Sequence, residues 1–228
     1  MSTSPAWTAF VADLPLVLGL DTATTVAVGL ARGSEVLQVA GVADRMAHVE
    51  QLTPLVQHCL EAAGLRPAAL TQLVVGLGPG PFTGLRVGIV TAQVLAFSLG
   101  IPWRGVCSLD VIAAQHAANG GAGEFVVATD ARRRELYWAR YGAGAVRLDG
   151  PHVSAPGDLP RLPVVGPGAD LYPDRLQAVT GPRSLDAGVL AARGLELADA
   201  GREPLYLRRP DAAEPTRRKS VLLSPGPR

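Results

Sequence analysis

The chain has 228 residues, 48% of them apolar and 18% charged, with a formal net charge of +1. That length holds one large domain or two small lobes, and the composition is that of a globular chain rather than a disordered one. So small a net charge excludes a surface that binds nucleic acid or membrane as a whole. The basic side chains are arginines apart from Lys219, which reads as base-composition bias. Cys59 and Cys107 form no C-x-x-C pair and no disulfide framework, as expected in a reducing cytosol. Residues 1–12 have no basic segment ahead of their apolar ones, and no run approaches the roughly 20 apolar residues of a spanning helix, so a soluble cytoplasmic protein without membrane contact is expected.

In chain order, Leu16–Leu20 is an apolar strand ending at Asp21, Val26–Ala31 a second, and Glu35–Val42 a third after the turn Arg32-Gly33-Ser34; together they predict an antiparallel meander. Val49, Leu52, Val56, Cys59, Leu60 and Ala63 recur with helical spacing, Gly64 is the natural stop, and Pro54 must lie in the first turn or kink the helix. Leu73–Leu77 reads as a buried strand, followed by Gly78-Pro79-Gly80-Pro81 and a helix from Phe82 to about Leu99 that Gly100 and Pro102 end. A strand near Arg104–Val106 leads to a helix over about 108–118 with Ser108 as N-cap, and Asn119–Gly123 marks a lobe boundary. Then the opening theme returns: Phe125–Thr129 ends at Asp130 as Leu16–Leu20 ends at Asp21, each strand leading into a hairpin. A helix over 186–200 and a last strand over 204–208 complete a smaller second lobe. The expected division is 14–119, 124–209 and a flexible basic tail over 210–228.

Candidate chemistry is sparse. A strand ending in Asp-x-Gly-Ser/Thr can wrap nucleotide phosphates, but here Ala23 follows Thr22, and the second hairpin carries Arg132, Arg133 and Arg134 in place of any glycine. Asp21, Thr22 and Asp130 are therefore weak nucleotide-site candidates, and the aspartates read first as strand ends that bond local amides. No two of His48, His58, His116 and His152 are spaced as helical metal ligands, and there is no G-x-S-x-G elbow. The helix after the glycine–proline loop is apolar nearly all round. Leu85, Ile89, Ala92, Ala96 and Leu99 lie on one face, and Val87, Val90, Val94 and Phe97 on another. Gly84, Gly88, Ala92 and Ala96 form a stripe of small residues, either internal or open to a partner helix. The arginines at 132–134 and the basic residues beyond Arg202 read as solvated charge, with RNA phosphate contact as the alternative.

The blocks LGLDTATTVAVGLA, HVEQLTPLV, GLGPGPFTGLRVGIVTAQVLA, TDARRRELYWARY and EPLYLRR, spanning Leu18 to Arg209, resemble the TsaB (YeaZ) family in order and spacing. Pro81 stands where that family usually has Ser, and Arg134 where it often has Gly. The resemblance implies an α/β actin-like (ASKHA) two-lobed fold with a reduced second lobe. It also implies a non-catalytic subunit of the complex that makes threonylcarbamoyladenosine next to the tRNA anticodon. The implied partners are a catalytic TsaD-like paralogue, a TsaE-like ATPase, tRNA through the complex, and a second copy of the chain in isolation. ATP and metal belong to the partner subunits, and no cofactor to this chain alone. The family's pairing helices map onto His48, Gln51, Leu52 and Leu55, and onto Phe82, Thr83, Gly84, Arg86, Val87, Gly88, Thr91 and Ala92. The rival readings are an actin-like small-molecule kinase and an inactive glycoprotease-like scaffold.

Overall fold

The computed structural model describes residues 14–42 and 48–208. The N-terminal segment and the basic tail over 210–228 lie outside the described residues. Two five-stranded sheets share one plan. In the first, β1 (Leu16–Asp21), β2 (Val26–Arg32), β3 (Glu35–Val42), β4 (Gln72–Gly76) and β5 (Trp103–Val106) stand in the order β3-β2-β1-β4-β5. In the second, β6 (Phe125–Asp130), β7 (Leu136–Tyr141), β8 (Arg147–Ser154), β9 (Pro163–Val165) and β10 (Gln177–Ala178) read β8-β7-β6-β9-β10 from the matching edge. Each begins with an antiparallel meander and continues with parallel strands on the other side of its first strand. β1 and β6 thus hold equivalent places, and the likeness of their aspartates is a duplication of the whole sheet.

The lobes differ in what joins their strands. In the first, α1 (His48–Ala62) and α2 (Phe82–Leu99) form the crossovers of the parallel half; in the second, short 3-10 turns replace both. This is an actin-like fold with a reduced second lobe. Strand alternation sends Leu16, Leu18 and Leu20 of β1 toward α1 and α2, while Val17 faces the core shared with α3 (Ser108–Ala118) and α4 (Ala187–Arg193). Gly19 and Gly29 admit α4: a Cβ would stand 2.8 Å from the Ala191 amide nitrogen in the first case and 2.0 Å from the Ala187 carbonyl in the second. The chain thus crosses back from the second sheet to cover the first.

The helices show where local rules hold and where contacts override them. α2 ends as expected, with Gly100 left-handed at φ 66°. Pro54 lies inside α1, beyond its first turn. Ser108 is the first helical residue of α3 and Cys107 the N-cap, because the serine hydroxyl is drawn to Asp21 instead of to an orphan amide of its own helix. The late helix is shorter than the 186–200 expected, ending at Arg193, with Asp186 as its cap through a 2.7 Å bond from the Gly188 amide. Residues 204–208 form no strand; the segment is tied by the Leu205 amide to the Leu77 carbonyl at 2.8 Å and turned by the Tyr206 amide onto the Pro204 carbonyl at 2.9 Å. Among the described helices α2 alone is long and apolar enough to cross a membrane by length and composition, and its inner face packs on the sheet.

Candidate functional site

The ends of β1 and β6 hold equivalent places in the two sheets, and the chain treats them differently. At the first hairpin Asp21 is 1% exposed. One carboxylate oxygen accepts the Ala23 amide at 2.9 Å, and the other accepts the Ser108 hydroxyl at 2.5 Å. The same hydroxyl accepts the Gly78 amide at 3.1 Å. One carboxylate therefore joins the end of β1, the glycine–proline loop and the start of α3. Gly76 is required beneath it, since a Cβ there would stand 1.8 Å from the carboxylate oxygen. Burial pushes the Asp21 carboxyl up to about 6, with the bonds from Ser108, Ala23 and Thr24 offsetting part of that cost.

Thr22 seals the next position. Its hydroxyl donates to the Gly84 carbonyl at 2.8 Å, and a Cβ at Gly88 would meet that hydroxyl at 2.3 Å. Ala92 and Leu52 are also buried in the first-lobe core. Gly84, Gly88, Ala92 and Leu52 thus face the chain's own interior, which corrects the view of the small-residue stripe as a docking surface: those small side chains admit Thr22 and the sheet. Gln51, Leu55 and Val87 are half-buried, Thr83 and Arg86 exposed, and the His48 side chain lies outside the described residues.

The outward face of α2 is the other one. Val90, Val94 and Phe97 are 53%, 60% and 89% exposed. Beside them a groove of about 340 Å³ runs between α1 and α2, lined by Thr53, Val56, Val90, Thr91, Val94, Leu95 and Ser98. Of the expected interface residues, Thr91 lines it. Val90, Val94 and Phe97 are legible in the sequence as a second apolar face, one that the first lobe has nothing left to cover.

The second hairpin is open. Asp130 accepts the Arg132 amide at 2.8 Å and pairs with its guanidinium at 3.3 Å. Arg132, Arg133 and Arg134 are exposed and take left-handed backbone angles, φ 61°, 53° and 62°. Such conformations cost roughly 1–2 kcal/mol for each residue bearing a Cβ, and they persist only where neighbours over-determine them. The strap over 204–208 supplies part of that restraint. Tyr206 stacks on Phe82 at 4.6 Å between centroids and accepts from Arg86 at 3.1 Å. Arg208 donates to the Ala131 carbonyl at 2.8 Å and pairs with Glu135. The strap thus ties the start of α2 to the second hairpin, and Leu205 packs on both main cores.

A second inter-lobe tie escapes sequence reasoning. Asp110 of α3 accepts the Tyr141 hydroxyl at 2.7 Å and lies 3.5 Å from the Arg147 guanidinium. Burial raises both the Asp110 carboxyl and the Tyr141 hydroxyl above their ordinary values, and the Cys107 thiol beside them is pushed up to about 12. The available signal is an acid in a helix whose other first-turn residues are buried. Among the described residues no three His, Cys, Asp or Glu side chains gather as metal ligands would.

The family model described as TsaD, tRNA N6-adenosine threonylcarbamoyltransferase, matches residues 38–169. An uncharacterized protein of Mycobacterium tuberculosis is 46% identical over 206 residues, 88% of this chain and 95% of that protein. The tRNA threonylcarbamoyladenosine biosynthesis protein TsaB of Escherichia coli is 39% identical over 94 residues, 41% of each chain. The crystal structure of YeaZ from Pseudomonas aeruginosa superposes with a TM-score of 0.67 at 26% identity, over 85% of this chain and all of that one. With its paired sheets, reduced second lobe and these matches, the chain belongs to the TsaB (YeaZ) family.

Proposed function

We propose that the chain is the non-catalytic partner subunit of a tRNA N6-adenosine threonylcarbamoyltransferase complex in the cytoplasm. It pairs through the outer face of α1 and α2 with a TsaD-like paralogue, and in that paralogue's absence with a second copy of itself. A TsaE-like ATPase and tRNA complete the assembly, with ATP and metal held by the partner subunits. The reading rests on one observation: Val90, Val94 and Phe97 form an exposed apolar ridge beside an apolar groove. Contiguous apolar surface of this kind marks protein–protein contact. The family supplies the tRNA chemistry, and the occupied Asp21 hairpin agrees with a supporting role.

The test is an omission assay with tRNA, ATP, the threonylcarbamoyl-adenylate donor, the ATPase and the paralogue, read by mass spectrometry of the modified adenosine. Product that requires both this chain and the paralogue, and is absent with this chain alone, is the expected result. Product formed equally well without the chain refutes the proposal. Val94→Asp should weaken pairing by at least ~30-fold, about 2 kcal/mol as for a buried interface anchor, with the melting temperature of the free chain unchanged.

A further inference from the structure

We propose that the second lobe carries a binding site for a small phosphorylated polyol, a sugar- or glycerol-type phosphate, in the cavity between segments 156–162 and 174–177. Every residue that lines this cavity belongs to the second lobe, and none to α1, α2 or either hairpin tip. The site therefore goes beyond the pairing face of the proposed function and does not depend on it.

The first observation is the space itself. The cavity measures about 550 Å³, inside the range of roughly 300–1,000 Å³ usual for small-molecule sites. It lies where the second lobe is reduced. In the first lobe α1 and α2 cover Leu16, Leu18 and Leu20, whereas Val126, Ala128 and Trp138 of the second sheet pack only with residues of their own lobe, under loops and 3-10 turns. Leu159 and Leu176 belong to that cluster and form the apolar floor.

The second is charge. Arg161 and Arg175 come from different segments and line the same cavity, with Asp174 and Gln177 beside them. Among the described residues neither of these guanidinium groups makes an ion pair or a side-chain hydrogen bond, and nor does the Asp174 carboxylate. Other arginines of this lobe are engaged: Arg147 with Asp110, Arg183 with Asp170 and Arg208 with Glu135. The cavity thus holds two cationic groups whose donors are unused by the protein.

The third is the framework under those side chains. The Arg175 and Leu176 amides both donate to the Tyr172 carbonyl at 3.0 Å, and the Leu162 amide donates to the Pro160 carbonyl at 2.8 Å. Pro156 and Pro160 fix their own backbone angles, so little loop ordering opposes binding. The ligand follows from the donor set. Guanidinium groups match phosphate oxygens as paired donors, and a phosphate monoester, close to doubly charged at neutral pH, suits two of them. The Asp174 carboxylate repels a bare anion but accepts hydroxyl groups, as does the Gln177 amide, so the phosphate must carry hydroxyls.

The experiment titrates the isotope-labelled full chain with ribose 5-phosphate and, separately, with inorganic phosphate at constant ionic strength, following amide NMR signals. The expected result is saturable shifts centred on 156–162 and 174–177. The dissociation constant for ribose 5-phosphate should be about 1 mM, the affinity that ordinary binding efficiency per atom gives a ligand of this size. Inorganic phosphate should bind the same residues several-fold more weakly. Arg161→Gln/Arg175→Gln should weaken ribose 5-phosphate by roughly ten-fold or more, as for a lost charged hydrogen bond, and Arg175→Gln alone should fall between. Both arginines are exposed, so the melting temperature should not move. Shifts that do not saturate, or that centre on other residues, overturn the proposal. Equal binding by the folded double variant overturns it too, and so does inorganic phosphate binding as tightly as ribose 5-phosphate, because charge alone then accounts for the contact.

Discussion

The hairpins after β1 and β6 occupy equivalent places in two sheets of one plan, yet one is closed and the other presented. At the first, the carboxylate of Asp21 is buried, and Thr22 is locked under α2 by glycines at 84 and 88. At the second, Asp130 makes the same bond to the amide two residues on, but the loop beyond it holds three exposed arginines in a backbone form they do not favour. The duplicated element is the strand end with its aspartate; its use is set by the elements packed above it. The first lobe lays α2 and α3 over its hairpin. The second lobe has 3-10 turns where the first has its crossover helices, so its hairpin stays in solvent with the strap as its brace.

The largest effect should come from breaking the closed hairpin. Gly76→Ala places a methyl inside contact distance of the Asp21 carboxylate. Relieving such an overlap in a packed core costs about 1–3 kcal/mol or more, here at the upper end because the neighbour is itself fixed by Ser108. A fall in melting temperature of roughly 6 °C or more, at 2–4 °C per kcal/mol for a chain of this size, is expected by calorimetry. A fall below about 2 °C, less than 1 kcal/mol on that scale, would show that the pocket is looser than described.

The next effect is pH dependence. The Asp21 carboxyl titrates at about 6 in the folded chain and near 3.8 when unfolded. A folded value raised above the unfolded one means that the folded state holds the proton more tightly. This contribution to stability is therefore fully present below pH 3.8 and is lost as pH rises through 6. The difference is about 3 kcal/mol between those limits, at 1.36 kcal/mol per pH unit. Asp21→Asn should remove that slope, so the gap in denaturation midpoint between variant and wild type changes between about pH 4 and pH 8. Asp130→Asn keeps an acceptor for the Arg132 amide and should change stability by less than ~0.5 kcal/mol, as most surface substitutions do. If both variants gave the same pH-dependent gap, the contrast between the hairpins would fail.

A smaller effect tests the strap. Arg208→Ala removes the donor to the Ala131 carbonyl and leaves Glu135 without this cation. A loss of about 1.5–3 kcal/mol is expected for a charged hydrogen bond, together with faster amide exchange at 131–135 and little change in β1. The smallest effect has the opposite sign: Arg134→Gly should stabilise the chain by a few tenths to about 1 kcal/mol, because the relief of left-handed strain exceeds the extra freedom of glycine in the unfolded chain. Destabilisation by this change would mean that the arginine side chain holds the loop itself.

Much of the first lobe is legible in the sequence because its signals are local. Alternating apolar residues, a glycine after each long helix and an uninterrupted apolar run at 73–77 are decided within a few residues. The late helix and the 204–208 segment escape such rules because their states depend on distant partners: α4 packs on β1, β2 and β3, and the strap is held through the Leu205 amide on the Leu77 carbonyl and through Arg208 on Ala131. The stripe at 84, 88 and 92 shows the same limit. Small residues at four-residue spacing announce that something comes close, but not whether it is the chain's own Thr22 or another protein.

The sequence by itself determined the duplicated strand–aspartate–hairpin, the order of the elements in the first lobe and the family, because periodicity, turn chemistry and motif spacing are properties of the chain read along its length. Only the tertiary structure decided which face of α2 is inside, that Ser108 serves Asp21 and not its own helix, and that Arg208 closes the other lobe's loop. Those outcomes depend on which atoms meet across roughly 60 to 120 residues of chain, and on burial that no local pattern encodes.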